Sequence, residues 1–258
     1  MNINAYIRRL GLTGSSLKAD AASLRLLQRS HLLAVPFENL DIYWKRPITV
    51  DPDRFFQKMV IGGRGGFCYE LNGLFNELLK AIGFETRRIS GRVFSGGVYG
   101  LEFDHAAIIV TLGGEEYLAD VGFGDFTTEP LQFDLGVEQQ DASGTFVIRR
   151  SEGEYLEVVK RIGDEWSSQY IFTDTPRSLS DFEEMCGYQQ SSPDSHFTRG
   201  ALCSILTNVG RKTLTDKKFI VTTGTLKSET AVETELEFYR LLIDEFGIES
   251  SIFPKMAN

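Results

Sequence analysis

Apolar residues along the first eighty positions recur at helical spacing. From Ala21 to Ala34 they are Leu24, Leu27, Leu32 and Leu33, set among good helix formers, and Pro36 stops the run. A stronger stripe follows from about Tyr69 to Ile82. Leu71, Leu74, Phe75, Leu78, Leu79 and Ile82 fall on one face of a helix, and Gly83 stands where a left-handed C-terminal cap is expected. From about Phe84 to Thr173 the pattern changes to short strands divided by Gly and acidic turns. They are Arg88–Phe94, Phe103–Leu112, Tyr117–Phe123, Phe146–Arg150, Tyr155–Arg161 and Gln169–Phe172. This texture predicts an antiparallel barrel or sandwich. Lys218–Thr223 reads as a further strand. Thr230–Glu233 reads as a capping box opening a helix that ends near Phe246-Gly247.

Composition narrows the functional classes. The chain has 258 residues, with 27 Lys and Arg against 36 Asp and Glu, for a net charge of −9. An acidic chain without a basic stripe does not suit nucleic acid or an anionic membrane surface. No apolar stretch approaches the ~20 residues of a membrane span, and the N-terminus has no continuous apolar core of the signal-peptide kind. Three cysteines, Cys68, Cys186 and Cys203, make no disulfide framework, so a reduced, cytoplasmic protein is expected.

Cys68 stands apart from the other two cysteines. It follows Gly62-Gly63-Arg64-Gly65-Gly66-Phe67 and opens the strongest helix. The first turn of a helix offers unpaired N–H groups and a partial positive potential, both of which favour a thiolate. The glycines are expected to let the backbone turn sharply and approach a substrate, and the free N–H groups could hold a developing oxyanion. The run lacks the Lys-Ser/Thr of a phosphate loop and the spacing of a dinucleotide fingerprint. Cys186 and Cys203 have no such setting and are expected to be inert and buried.

Of three histidines, only His105 lies in a strand pattern. A two-residue Gly113-Gly114 hairpin would put Leu112 opposite Glu115 and His105 opposite Gly122. Asp120 then shares a sheet face with His105 as a diagonal neighbour. The apolar flanks of Asp120 favour a buried, paired carboxylate. Cys68, His105 and Asp120 thus meet the requirements of nucleophile, base and orienting acid. Paired in this way, His105 is expected to hold Cys68 ionised well below the ~8.5 of a free thiol. The sequence contains no Cys-x-x-Cys and no His-Glu-x-x-His, so no metal site is expected.

The run Arg64-Gly65-Gly66-Phe67-Cys68-Tyr69-Glu70-Leu71-Asn72 resembles the nucleophile motif of the arylamine N-acetyltransferases. Pro36-Phe37-Glu38-Asn39-Leu40, Asp104-His105 and Asp120-Val121-Gly122-Phe123-Gly124 fit the same family, dense from about His31 to Phe126 and thinner beyond. The resemblance implies an α+β fold around a cysteine-protease-like Cys-His-Asp core. Its parts would be an N-terminal helical domain (1–83), a central antiparallel β-barrel domain (84–190) and a C-terminal α/β lid (191–258). It also implies acetyl-CoA as co-substrate and a ping-pong transfer, through acetyl-Cys68, to an arylamine, arylhydroxylamine or arylhydrazine. On that basis Phe37, Val93 and Phe123 would line the acceptor slot, and Gly124 and Asp104 would lie near the coenzyme. Arg64 and Glu38 would brace the glycine turn. A cysteine hydrolase or amide synthase would use the same triad with another donor or acceptor, and a binding protein retaining the fold is the non-enzymatic alternative. Oligomeric state and the physiological amine are left open.

Overall fold

The structure, a computed structural model, describes residues 1–254. It opens with helices α1 (Ile3–Arg9) and α2 (Ala21–Ala34). Asn2 and Asp20 cap them by accepting the N–H groups of Ala5 and Ser23 at 3.1 and 2.8 Å. A two-residue strand β1 (Phe37–Glu38), the short helices α3 (Leu40–Tyr43) and α4 (Pro52–Phe56) and a π-helical turn at Gln57–Ile61 lead to α5 (Cys68–Ile82). Gly83 closes α5 in the left-handed region at φ 109°, its N–H reaching the Leu79 carbonyl at 3.2 Å. The apolar stripe of α5 is buried as expected, except that Ile82 is only half-buried. Tyr69, Glu70, Asn72 and Asn76 are buried as well. The first half of α5 is therefore enclosed all round, and its polar side chains face other protein groups.

The central sheet contains β2 (Glu85–Ser95), β3 (Val98–Tyr99), β4 (His105–Leu112), β5 (Glu115–Ala119), β6 (Leu131–Gln132), β7 (Gln139–Asp141), β8 (Gly144–Arg150), β9 (Leu156–Ile162) and β10 (Glu165–Phe172). Its order is β6-β5-β4-β2-β10-β9-β8-β7, all antiparallel, with β3 on β2. The two edges meet: the Gln139 side-chain amide accepts from Gln132 N–H at 2.7 Å and donates to the Gln132 carbonyl at 2.8 Å. A side chain thus supplies the pairing that closes the barrel. Ile89, Ile109, Leu118, Phe146, Val158 and Phe172 are among the residues that fill its interior. The opposite face of β4, through Ile108 and Val110, packs against α5. Burial on both faces explains why β4 is continuously apolar rather than alternating.

Gly113 and Gly114, at φ 60° and 90°, form the tight hairpin, and Leu112 pairs with Glu115 as the sequence predicts. β2 and β10 begin earlier than expected, at Glu85 and Glu165, and two strand ends beside the site differ as well. β4 begins at His105, because Phe103 takes a positive φ of 64° and turns the chain. β5 stops at Ala119, so Asp120 lies just beyond the ladder.

After α6 (Glu183–Ser191) come β11 (Leu202–Thr207), β12 (Gly210–Thr215), β13 (Lys218–Thr223), β14 (Leu226–Ala231) and α7 (Glu235–Phe246). This second sheet runs β1-β11-β12-β13-β14. Phe37 and Glu38, from the helical N-terminal region, pair with Ser204 and Cys203. The cap of α7 is Thr234, which accepts from Glu237 N–H at 3.1 Å; Thr230 belongs to β14 instead. Leu40, Leu214, Phe238, Leu242 and Phe246 form the core between α7 and the sheet. Among the described residues no helix is long and apolar enough to cross a membrane.

Candidate active site

Cys68 is the first residue of α5, and the chain before it is held by buried charges. Arg64 donates to Glu38 Oε1 at 2.6 Å and to Asp41 Oδ1 at 2.8 Å. Lys58 bridges Asp41 and Glu70, each at 2.8 Å, and Glu70 accepts the Phe67 N–H at 2.8 Å. Burial pushes the Asp41 carboxyl up, but Lys58 and Arg64 together outweigh it and hold the group below its usual range. Arg64 and Glu38 brace the turn as expected. The glycines have a different use from the expected one. A Cβ on Gly65 would lie 2.1 Å from the Pro36 carbonyl, and one on Gly66 2.7 Å from Met59 Sδ. The run is glycine-rich at these positions because it packs under β1 and against α5, rather than to approach a ligand.

His105, at the start of β4, and Asp120, after β5, are joined by a 2.6 Å contact from Nε2 to Oδ2. Cys68, His105 and Asp120 are only 4, 2 and 1% exposed. Because the carboxylate accepts, Nε2 carries the proton and Nδ1 is left for another partner. The remaining capacity of Asp120 is filled. Asn72 Nδ2 and the Gly122 N–H donate to Oδ1 at 2.8 and 2.9 Å, and Tyr170 donates to Oδ2 at 3.4 Å. Asn72 also donates to the Ala106 carbonyl at 2.6 Å and accepts the Val121 N–H at 2.9 Å. Gln28, from α2, accepts the Asp120 N–H at 3.2 Å.

Burial raises the Cys68 thiol well above its ordinary value, Cys186, Asp104 and Asp120 add to the shift, and only the Tyr69 N–H opposes it. Helix entry favours the thiolate, but enclosure costs more than one helix turn returns. A negative sulfur here requires a proton acceptor beside it. The buried Cys186 and Cys203 fit the expected inert role, the former pushed up to about 12, chiefly by burial.

Cys68 and His105 open on a cavity of about 320 Å³. Phe37, Val93, Asp104, Phe123 and Gly124 line it too, so every residue the sequence assigned to the triad, the acceptor slot or the coenzyme reaches this cavity except Asp120, which is bonded to His105. Phe123 packs edge-on against His105 with ring centroids 5.2 Å apart. A Cβ on Gly122 would lie 3.1 Å from Cys68 Cα, so glycine allows this loop to close on Cys68. Asp104 and Gly124 stand at different mouths. Gly124 joins a groove of about 560 Å³ through Asp125, Arg211 and Thr213. Asp104 joins a chamber of about 220 Å³ through Val93 and His196.

Sequence reasoning missed Asn72, Gln28, Tyr170 and the wall supplied by Ser204, Arg211 and Thr213. Asn72 left a signal, being a polar residue one helical turn after Cys68. Gln28 reaches the site from α2 and the others through sheet pairing, and they left none. Arg211 donates to the Gly124 carbonyl at 2.7 Å and to Ser204 Oγ at 3.2 Å. Among the described residues no cluster of His, Cys, Asp or Glu is arranged to hold a metal.

A family model described as N-acetyltransferase matches residues 20–252. The arylamine N-acetyltransferase / N-hydroxyarylamine O-acetyltransferase of Salmonella typhimurium is 33% identical, over 95% of this chain and 88% of its own length. Human arylamine N-acetyltransferase 1 is 31% identical over 100% and 98%. The Mycobacterium marinum arylamine N-acetyltransferase, solved in complex with CoA, superposes with a TM-score of 0.88 at 29% identity, covering 96% of this chain and 93% of that one. With the Cys68 motif in place at a helix start and the barrel fold around it, this chain belongs to the arylamine N-acetyltransferase family, acyltransferases that use acetyl-CoA as co-substrate.

Proposed function

We propose that the chain transfers acetyl from acetyl-CoA to the nitrogen of an aromatic amine, hydroxylamine or hydrazine in two displacements through Cys68. The observation that carries this reading is the buried His105–Asp120 pair, which faces the cavity holding the Cys68 thiol. With Nε2 committed to Asp120, His105 Nδ1 takes the Cys68 proton as the sulfur attacks the thioester carbonyl. The developing imidazolium is stabilised by Asp120, which offsets the burial cost of the thiolate. Collapse of the tetrahedral species breaks the bond to the CoA sulfur, and His105 returns the proton to that leaving thiolate. The aromatic nitrogen then attacks acetyl-Cys68, gives up its proton to His105, and Cys68 is regenerated. In this reading the N–H groups of the first turn of α5 receive the oxyanion in both halves.

Phe37, Val93 and Phe123 give the aromatic ring its apolar walls. The groove beyond Gly124 is lined by Arg29, Lys160, Arg211 and Lys227 with, among the described residues, Asp125 as its one acid, which suits the phosphates of the coenzyme. The test is mass spectrometry of the intact protein. Acetyl-CoA alone should add one acetyl group, located on Cys68, with release of CoA, and an arylamine should then remove it as the N-acetyl product. An unmodified Cys68 would overturn the reading, and discharge to water at a rate indifferent to amine would make the enzyme a hydrolase.

A further inference from the structure

The catalytic cavity has two mouths of opposite charge. Beside Gly124, at Asp125, Arg211 and Thr213, it meets the groove that carries Arg29, Lys160 and Lys227 as well. At Asp104 it meets the chamber walled by Val98, Leu101, Met185 and Tyr188, whose ionisable residues are Asp104, Asp194 and His196. Among the described residues no Lys or Arg lines that chamber, and Arg211 alone lines the cavity itself, its guanidinium already donating to Gly124 and Ser204.

Asp104 lies where cavity and chamber join. Its Oδ1 accepts from Gln189 Nε2 at 2.6 Å, and Gln189 Oε1 in turn accepts from Ser195 Oγ at 2.6 Å. The carboxyl is thus held in place by α6 and the loop after it. The half-buried setting offers an incoming anion little water and no cation in exchange for its hydration.

We propose that this chamber receives the substituent of the acceptor ring distal to the reacting nitrogen, and that Asp104 selects acceptors by charge. Neutral, hydrogen-bond-donating or cationic substituents enter, and carboxylates are rejected. The proposal rests on the acetyl-Cys68 reading above and adds which aromatic amines discharge it. It also separates the two substrates of the site. The polyanionic coenzyme meets the basic mouth, and the acidic mouth is kept for the amine. Asp104 therefore acts on the acceptor half-reaction rather than on coenzyme binding.

The experiment measures discharge of preformed acetyl-enzyme by 4-aminobenzoate, its methyl ester and 4-(dimethylaminomethyl)aniline. The ester withdraws electrons from the ring and makes its amine the weaker nucleophile, so intrinsic reactivity alone favours the carboxylate. The enzyme should reverse that order, with kcat/KM for the ester and the cation at least about tenfold above that for 4-aminobenzoate, a discrimination of about 1.4 kcal/mol. Asp104→Asn, which keeps an acceptor for Gln189, should narrow the ratio severalfold and leave the rate of CoA release in the first half-reaction less affected. Equal discharge by carboxylate and ester, or an unchanged ratio in Asp104→Asn, would overturn charge selection. Should that variant fail to acetylate, Asp194→Lys at the exposed rim should speed 4-aminobenzoate more than its ester, and no such gain would likewise overturn it. Failure of the wild type to form acetyl-Cys68 would instead strike the parent reading, so the two failures are distinguishable.

Discussion

His105 Nε2 lies 2.6 Å from Asp120 Oδ2, and both side chains are sealed from solvent. That contact decides which imidazole nitrogen is free, and so which atom can receive a proton from Cys68. Asp120→Asn would let the wrong tautomer form while leaving size and most packing unchanged. Acetylation of Cys68, read as CoA release, should fall by about 10³–10⁴-fold. A loss below about tenfold would remove Asp120 from the mechanism.

The pH dependence follows from the same pair. Burial and nearby carboxylates raise the Cys68 thiol, so without a partner it stays protonated at neutral pH. In the wild type, proton transfer to His105 allows the thiolate to exist at lower pH, and reactivity is lost as pH falls and the sulfur is reprotonated. Alkylation of Cys68 in His105→Gln should therefore rise only above ~8.5, to the alkaline side of the wild-type profile. Superimposable profiles would contradict the pairing.

Gly122→Ala tests how closely the loop after Asp120 closes on Cys68. The new Cβ would lie 2.7 Å from Asn72 Nδ2 and 3.0 Å from the Cys68 carbonyl. Turnover should drop by at least about 10²-fold, since a displacement near 1 Å has that effect. The variant should still fold, as judged by circular dichroism and thermal unfolding. Wild-type turnover would show that the contact is relaxed by movement elsewhere.

Arg64→Met removes one cation from a buried set of two cations and three carboxylates, Lys58 and Arg64 with Glu38, Asp41 and Glu70. The carboxylates left behind are short of partners. Denaturant unfolding should show a loss of about 3–5 kcal/mol. A change under about 1 kcal/mol would mean that Lys58 or water compensates.

His31 is fully buried, donating or accepting at 2.9 Å with Tyr6 and packing on Phe75. Burial lowers it from 6.5 to about 3. Its folded-state value lies below the unfolded one, so its neutral form costs nothing above pH 6.5. Between about 6.5 and 3 the unfolded chain binds a proton that the folded chain refuses. Stability should fall with falling pH in that window by up to about 1.4 kcal/mol per unit from this group. His31→Gln, which can keep a bond to Tyr6, should flatten the slope by about one proton. An unchanged slope would assign the acid sensitivity to other groups.

Local signals carried much of this protein. The helical period of Leu71, Leu74, Phe75, Leu78 and Leu79, the Gly83 cap and the Gly113-Gly114 hairpin are short-range features, and each is where the sequence places it. The hairpin register even put His105 and Asp120 on one side, although Asp120 proved to lie past the end of β5. The strands β11, β12 and β14 were far less visible, because β12 and β14 are largely polar and all three are held by pairing within the sheet β1-β11-β12-β13-β14 rather than marked by apolar alternation.

What the sequence by itself determined was the helix that opens at Cys68 and the strand register that sets His105 beside Asp120, because glycine turns, caps and hydrophobic period act between near neighbours. Only the tertiary structure decided how deeply the Cys68 thiol is enclosed. A helix start argues for a thiolate, but the desolvation that raises the thiol comes from residues far away in the chain. The same holds for the enclosure of the site. Arg211 lies 87 residues from the Gly124 carbonyl it contacts, and Gln189 lies 85 from Asp104. Such contacts are chosen by how sheets and helices pack, and no local pattern along the chain encodes them.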